Sequence, residues 1–149
     1  MSGSAAGLAA ALFPPGTAPE VLAVIWATVD ADRVLAGIGS PGEPLADDPL
    51  LGASVRLIRP ADGEPIAILE PNIEGRLAAA LARSGEGPAG EYVLAAEGLG
   101  AVVRRAAAAG VSLSREEAGP FGRSVLVLDG LPRGPHLVLV EPPAGTIDR

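Results

Sequence analysis

The sequence predicts an α+β fold built from two tandem βαβββ modules, and three observations lead there. The segments PIAILEP (65–71) and PHLVLVEP (135–142) are nearly the same apolar strand, each ending in Glu-Pro, with Glu70 and Glu141 71 residues apart. Around each copy, strand-like runs and an amphipathic helical stretch recur in the same order, and such internal repetition outweighs any single propensity. The 20 Gly and 15 Pro sit between apolar segments rather than in tracts, which is the distribution of turn residues.

The elements follow in order. VLAVIWATV (21–29) is rich in β-branched residues and reads as a strand. Asp30 is placed to cap a short helix running to about Gly37, with Val34, Leu35 and Ile38 on one side. GSPGEPLADDP (39–49) reads as loop. GASVRLIR (52–59) alternates as a strand does, PADGEP (60–65) carries the Asp62-Gly63 hairpin signal, and IAILE (66–70) is the returning strand. Asn72 opens a second helix, NIEGRLAAALARSG, whose Ile73, Leu77, Ala80 and Leu81 fall at i, i+4, i+7 and i+8 before Gly85 ends it. After GEGPAG the pattern restarts with a strand at EYVLAA (91–96). The helix LGAVVRRAAAAG (99–110) turns Leu99, Val102, Val103, Ala106 and Ala107 inward and Arg104 and Arg105 outward. Strands are expected at 111–113, 123–129 and 135–141, with REE (115–117) as surface loop. The chain thus divides into an N-terminal tail or short helix (1–19), a first module (20–71), a linker helix and loop (72–89), a second module (90–143) and a tail (144–149).

Composition removes several functions. At 149 residues the chain is long enough to bury a core. No apolar run approaches the roughly 18 residues of a membrane span, so no membrane partner is expected. MSGSAAGLAAALFPPG lacks a basic n-region and reads as tail or helix rather than signal peptide. The absence of cysteine excludes disulfides, thiol nucleophiles and Cys-ligated zinc, and suits a cytoplasmic setting. All 11 basic residues are arginine, which leaves no lysine for a Schiff base or a phosphate loop. A net charge of −7 argues against nucleic acid, which needs a basic footprint. Aromatic residues are only 3%, so Ala, Val, Leu and Ile must build the core.

The stretch GASVRLIRPADGEPIAILEPNIEGRLAAALARSGEGPAGEYVLAAEGLGAVVRRAAAAGV, continuing to HLVLVEPP, resembles the vicinal oxygen chelate superfamily. Within it, the glyoxalase, bleomycin-resistance and methylmalonyl-CoA epimerase-like proteins are the most similar. The likeness spans about residues 20–143 and rests chiefly on the joint LEP…LARSGEG and on AAGV at the end of the second module's helix. It implies that the two modules curl into an eight-stranded mixed sheet around a shared cavity, with helices on the outer face, and commonly pair as a homodimer. Metal-using members place a histidine in the first strand of each module and a carboxylate or amide in the last. These ligands hold a divalent ion that stabilises an enolate-like intermediate. Counting back seven residues from the helix-opening acids Asp30 and Glu97, as the resemblance implies, gives Ala23 and Gly90; counting back three from Glu70 and Glu141 gives Ala67 and Val138. None of the four carries a donor atom. A one-residue slip substitutes Val24 and Glu91, and still no histidine appears, so neither a metal nor another cofactor is expected.

The single histidine, His136, shares a strand face with Val138 and serves either as a general base or polar hook, or as a strand-start residue bonded to a turn. Tyr92 shares a face with Gly90 and either stacks on a ligand and donates its hydroxyl, or fills core space. Trp26 has the opposite parity to Ala23 and is expected in the core against the helices. Glu70 and Glu141 read as an acid–base pair or as repeated rim and capping residues. Three functions fit. The first is a non-catalytic binder of a mostly apolar small molecule, its cavity lined by Ile25, Ala27, Ala67, Leu69, Leu94, Val138 and Val140 with Tyr92 and His136 as polar handles. The second is a metal-free isomerase or lyase on an acyl thioester or related carbonyl compound, with His136 and Tyr92 as candidate catalytic groups. The third is a degenerate assembly domain whose cavity is filled by its own side chains.

Overall fold

In the computed structural model, which describes residues 11–16, 18–128 and 136–142, two strand–helix–three-strand units share one sheet. The first comprises β1 (Val21–Ala27), α1 (Ala31–Ile38), β2 (Glu43–Asp48), β3 (Ala53–Ile58) and β4 (Ile66–Pro71). The joining helix α2 is Arg76–Ser84. The second unit comprises β5 (Gly87–Leu94), α3 (Leu99–Ala109), β6 (Glu117–Gly119), β7 (Gly122–Leu126) and β8 (His136–Val140). The strand order is β2-β3-β4-β1-β5-β8-β7-β6. The edge strands β2 and β6 approach each other, so the sheet is curled almost to closure.

The repeat holds residue for residue. Val24, Ile25, Trp26 and Ala27 of β1 lie opposite Ile66, Ala67, Ile68 and Leu69 of the parallel β4. Glu91, Tyr92, Val93 and Leu94 of β5 lie opposite Leu137, Val138, Leu139 and Val140 of the parallel β8. Each β5 residue is 67 positions after its β1 counterpart and each β8 residue 71 after its β4 counterpart. The modules join through the antiparallel pair β1–β5, which shifts register twice. Gly90 is required there: its φ is +150°, and a Cβ would lie 2.0 Å from the His136 carbonyl oxygen.

Strand alternation divides the core. Ala23, Ile25, Ala27, Ala67, Leu69, Tyr92, Val138 and Val140 face the concave side. Val93, Val125, Leu137 and Leu139 face outward, beneath Leu99, Val102 and Ala106 of α3 and beneath Leu12 and Phe13. Ile58 and Ile68 lie under Ala31 and Leu35 of α1. All of β8 is buried, as expected for a strand covered on both faces.

Several boundaries differ from the sequence expectation. The stretch read as loop at 39–49 contains β2, and the REE segment leads into β6; both are edge strands with polar sequences. Asn72 does not cap α2. Its N–H donates to the Gly52 carbonyl and that of Leu77 to Leu51, so the helix begins at a Gly75 N-cap with no side-chain cap bond. β5 starts at Gly87, which shortens the linker expected over 72–89. Leu113 makes only an isolated bridge with Val127. Trp26 faces outward as its parity requires, but it is 37% exposed rather than core. Asp30 caps α1 as expected, accepting from the Arg33 N–H. The ends of the expected strands at 123–129 and 135–141 reach residues 129 and 135, which lie outside the described residues, as do residues 1–10 and the tail 144–149.

Glu86, immediately before β5, fastens the joint between the modules to the first module. Its Oε2 accepts from the Thr28 hydroxyl at 2.9 Å and the Val29 N–H at 3.1 Å, and its carboxylate receives Arg33 at 2.7 Å. The Arg33 hydrogen bond, then those from Val29 and Thr28, hold this carboxyl down at about 2. Because the folded value is depressed, its contribution is complete above the unfolded carboxyl range and lost as pH falls from about 4.5 through about 2. The stability difference between wild type and Glu86→Gln, measured by urea unfolding, is therefore expected to be constant above about pH 5 and to vanish near pH 2.

Candidate functional site

The concave face carries eight of the nine residues expected to line a cavity. Ala67, Leu69, Tyr92 and Val138 expose no surface, Ile25 and Val140 are 1% exposed, Ala27 is 2% and His136 is 5%. Leu94 is the exception. It is half-buried and borders a separate outer groove of about 300 Å³ between the Phe13–Glu20 segment and the start of α3, with Ala95, Val102 and Arg105. The mapped ligand positions hold only Ala, Gly and Val, yet no open space stands in front of them. Instead Leu51 from the β2–β3 turn and Leu77 and Leu81 from α2 pack into the same cluster, the first two fully buried.

A polar group is set in this aliphatic surface. Tyr92 donates its hydroxyl to Asp48 Oδ2 at 2.6 Å, and the Leu51 N–H donates to Asp48 Oδ1 at 2.9 Å. The Tyr92 ring lies 4.8 Å from Phe121 at 55°. Burial, and then the Asp48 carboxylate, push the Tyr92 hydroxyl well above the usual phenol range, so its proton stays in place. That proton is committed to Asp48, so Tyr92 does not present a free donor to a ligand. His136 lies across the sheet from Gly90, and its Nε2 is buried without a hydrogen-bond partner among the described residues. Burial, then the positive charge of Arg76, lower its pKa against the opposing pull of Asp48, so the imidazole is neutral at pH 7. Nε2 is thus the open hydrogen-bonding position of the group.

Asp48 is the polar residue that sequence reasoning missed. It follows a run with no strand periodicity and turns inward only because β2 shifts register between Leu45 and Asp48. Glu70 and Glu141 are not brought together as an acid–base pair. Glu70 accepts from the Ala31 N–H at 2.8 Å and so anchors the start of α1, while the Glu141 N–H bonds to the Arg123 carbonyl.

Solved structures of methylmalonyl-CoA epimerases superpose on most of this chain. The enzyme from Mycobacterium tuberculosis does so with a TM-score of 0.69 at 20% identity, covering 92% of this chain and 97% of its own. A methylmalonyl-CoA epimerase in complex with methylmalonyl-CoA and NH4+ gives 0.69 at 18% identity, covering 86% of this chain and 97% of its own. A hypothetical protein from Bacillus halodurans gives 0.69 at 17% identity, with 89% and 100% covered. No protein-family model matches the chain, and no curated protein matches it. The likeness is one of fold: this chain shares the fold of these solved structures.

The resemblance read from the sequence implies a metal, and the residues present do not fit one. Ala23, Ala67 and Val138 point into the concave cluster with hydrocarbon side chains and no exposed surface, and Gly90 has no side chain. Among the described residues no three His, Asp or Glu side chains converge. Added zinc, manganese or nickel is therefore expected to leave the melting temperature unchanged, and elemental analysis to find no stoichiometric divalent ion; one equivalent of bound metal would refute the assignment.

Proposed function

We propose that the protein is a metal-independent binding domain for a mostly apolar small molecule, held on the concave face with His136 as its hydrogen-bonding anchor. The observation that carries this reading is the unpartnered Nε2. Leaving a buried polar atom unsatisfied costs about 1–3 kcal/mol, and such a group has a purpose when a ligand completes it. The aliphatic surface of Ile25, Ala27, Ala67, Leu69, Val138 and Val140 suits an apolar body, and Tyr92 contributes ring surface rather than a free donor. The domain works as a cytoplasmic homodimer; the exposed Trp26 on the outer face supports pairing.

A second reading is a metal-free isomerase or lyase on an acyl thioester. Two observations favour it: the epimerases that share the fold, one of them holding methylmalonyl-CoA, and the neutral imidazole of His136, which is in the protonation state of a general base. The closed packing around Leu51 and Leu77 favours the third reading, a degenerate assembly domain.

One variant separates them. Titration calorimetry with propionyl-CoA, methylmalonyl-CoA and an apolar compound set is expected to give binding that His136→Ala weakens by about 0.5–1.5 kcal/mol. An isomerase would instead lose about 10²–10⁴-fold in turnover in the same variant with little change in affinity. If wild type binds and converts none of these compounds, the assembly reading holds.

A further inference from the structure

The concave face is shut by two pieces of chain that do not belong to the sheet. One is the β2–β3 turn at 49–52 and the other is the entrance to α2. Two backbone bonds stitch them together, from the Asn72 N–H to the Gly52 carbonyl and from the Leu77 N–H to the Leu51 carbonyl, each 3.0 Å. They also fit closely, since a Cβ on Gly52 would lie 2.8 Å from Ile73 Cγ1. Turn and helix entrance therefore form one cap, with Leu51 and Leu77 as its inward side chains.

Beyond the burial of Leu51 and Leu77, the cap has few polar attachments. β2 is an edge strand, and α2 begins at a glycine with no side-chain cap. Among the described residues, one side-chain bond ties the cap across the concavity to the second module, from Tyr92 to Asp48 Oδ2 at 2.6 Å. The same carboxylate holds the cap through the Leu51 N–H at 2.9 Å, and the Asp48 carbonyl receives the Gly52 N–H at 2.8 Å. Beneath the cap the sheet presents Ala23, Ala27, Ala53 and Ala67, residues too small to refill the space if the leucines leave.

We propose that the Asp48–Tyr92 hydrogen bond is a latch that keeps the cap closed over the concave face, and that its release admits a ligand to His136. This rests on the binding reading above. A ligand that carries a hydrogen-bond donor beside its apolar body is the class the latch selects, because such a donor replaces the Tyr92 hydroxyl on Asp48 Oδ2 as the cap lifts. Occupancy and opening are then coupled, and the closed packing is one of two states.

Amide hydrogen exchange on the full chain without ligand tests the latch. Tyr92→Phe removes the donor, Asp48→Asn removes the charge while keeping the shape, and Val102→Ala weakens the α3 side as a control. Both latch variants are expected to raise exchange by about tenfold in peptides covering 49–57 and 72–81. Peptides covering α3 and β8 should exchange as in wild type, and Val102→Ala should leave the cap protected. Cap exchange equal to wild type in both variants overturns the latch. So does a rise spread evenly over the sheet, which would make the bond part of the general core. If Tyr92→Phe fails to fold, Asp48→Asn decides alone. A variant whose cap opens yet takes up no acyl-CoA leaves the latch standing and counts against the binding function, so the two failures are distinct.

Discussion

A sheet curled nearly to closure must fill its concave face, and here leucines fill it. Ala23, Ala27, Ala53 and Ala67 floor the concavity, and Leu51, Leu77 and Leu81 enter from the cap to pack with them. Burying a leucine side chain contributes about 1.5–3 kcal/mol, so closure is favoured in the absence of anything else to cover this surface. The rest of the molecule depends on that packing. Ala23, Ala67 and Val138, three of the positions that the sequence resemblance maps to metal ligands, lie in the core, and Leu77 and Leu81 of α2 pack there with them. A ligand of the concave face must displace side chains rather than enter an open cleft.

The exactness of the repeat makes its asymmetry informative. Ile25 and Tyr92 occupy equivalent places, as do Pro65 and His136. The second module thus supplies a hydroxyl and an imidazole where the first supplies hydrocarbon. The first module answers with Asp48, from an edge strand that reaches across. The polar group therefore exists only when both modules are assembled, which ties whatever it does to the β1–β5 joint. Gly90 at that joint allows the chain to pass against the His136 backbone, and Glu86 holds the joint from its outer side.

The central strands were legible in the sequence because burial on one or both faces writes a strong apolar pattern; IAILE and HLVLV are the clearest cases. The edge strands β2 and β6 were not, because an edge strand has few buried positions and tolerates Pro44, Asp47 and Gly119. Missing β2 meant missing Asp48, and with it the partner of Tyr92. The facing of Ala23, Ala67 and Val138 followed from period-two counting, and so did that of Tyr92. Whether the space in front of them was empty did not follow, because the leucines that fill it come from a turn and a helix entrance with no local signature of inward packing.

Nuclear Overhauser contacts in methyl-labelled, unliganded protein test the filled concavity most directly. Contacts are expected from the Leu51 and Leu77 methyl groups to the concave cluster that contains Ala23, Ala67, Tyr92 and Val138. Absence of those contacts, with the concave methyl groups instead exchanging magnetisation with water, would show an open cavity and contradict that packing.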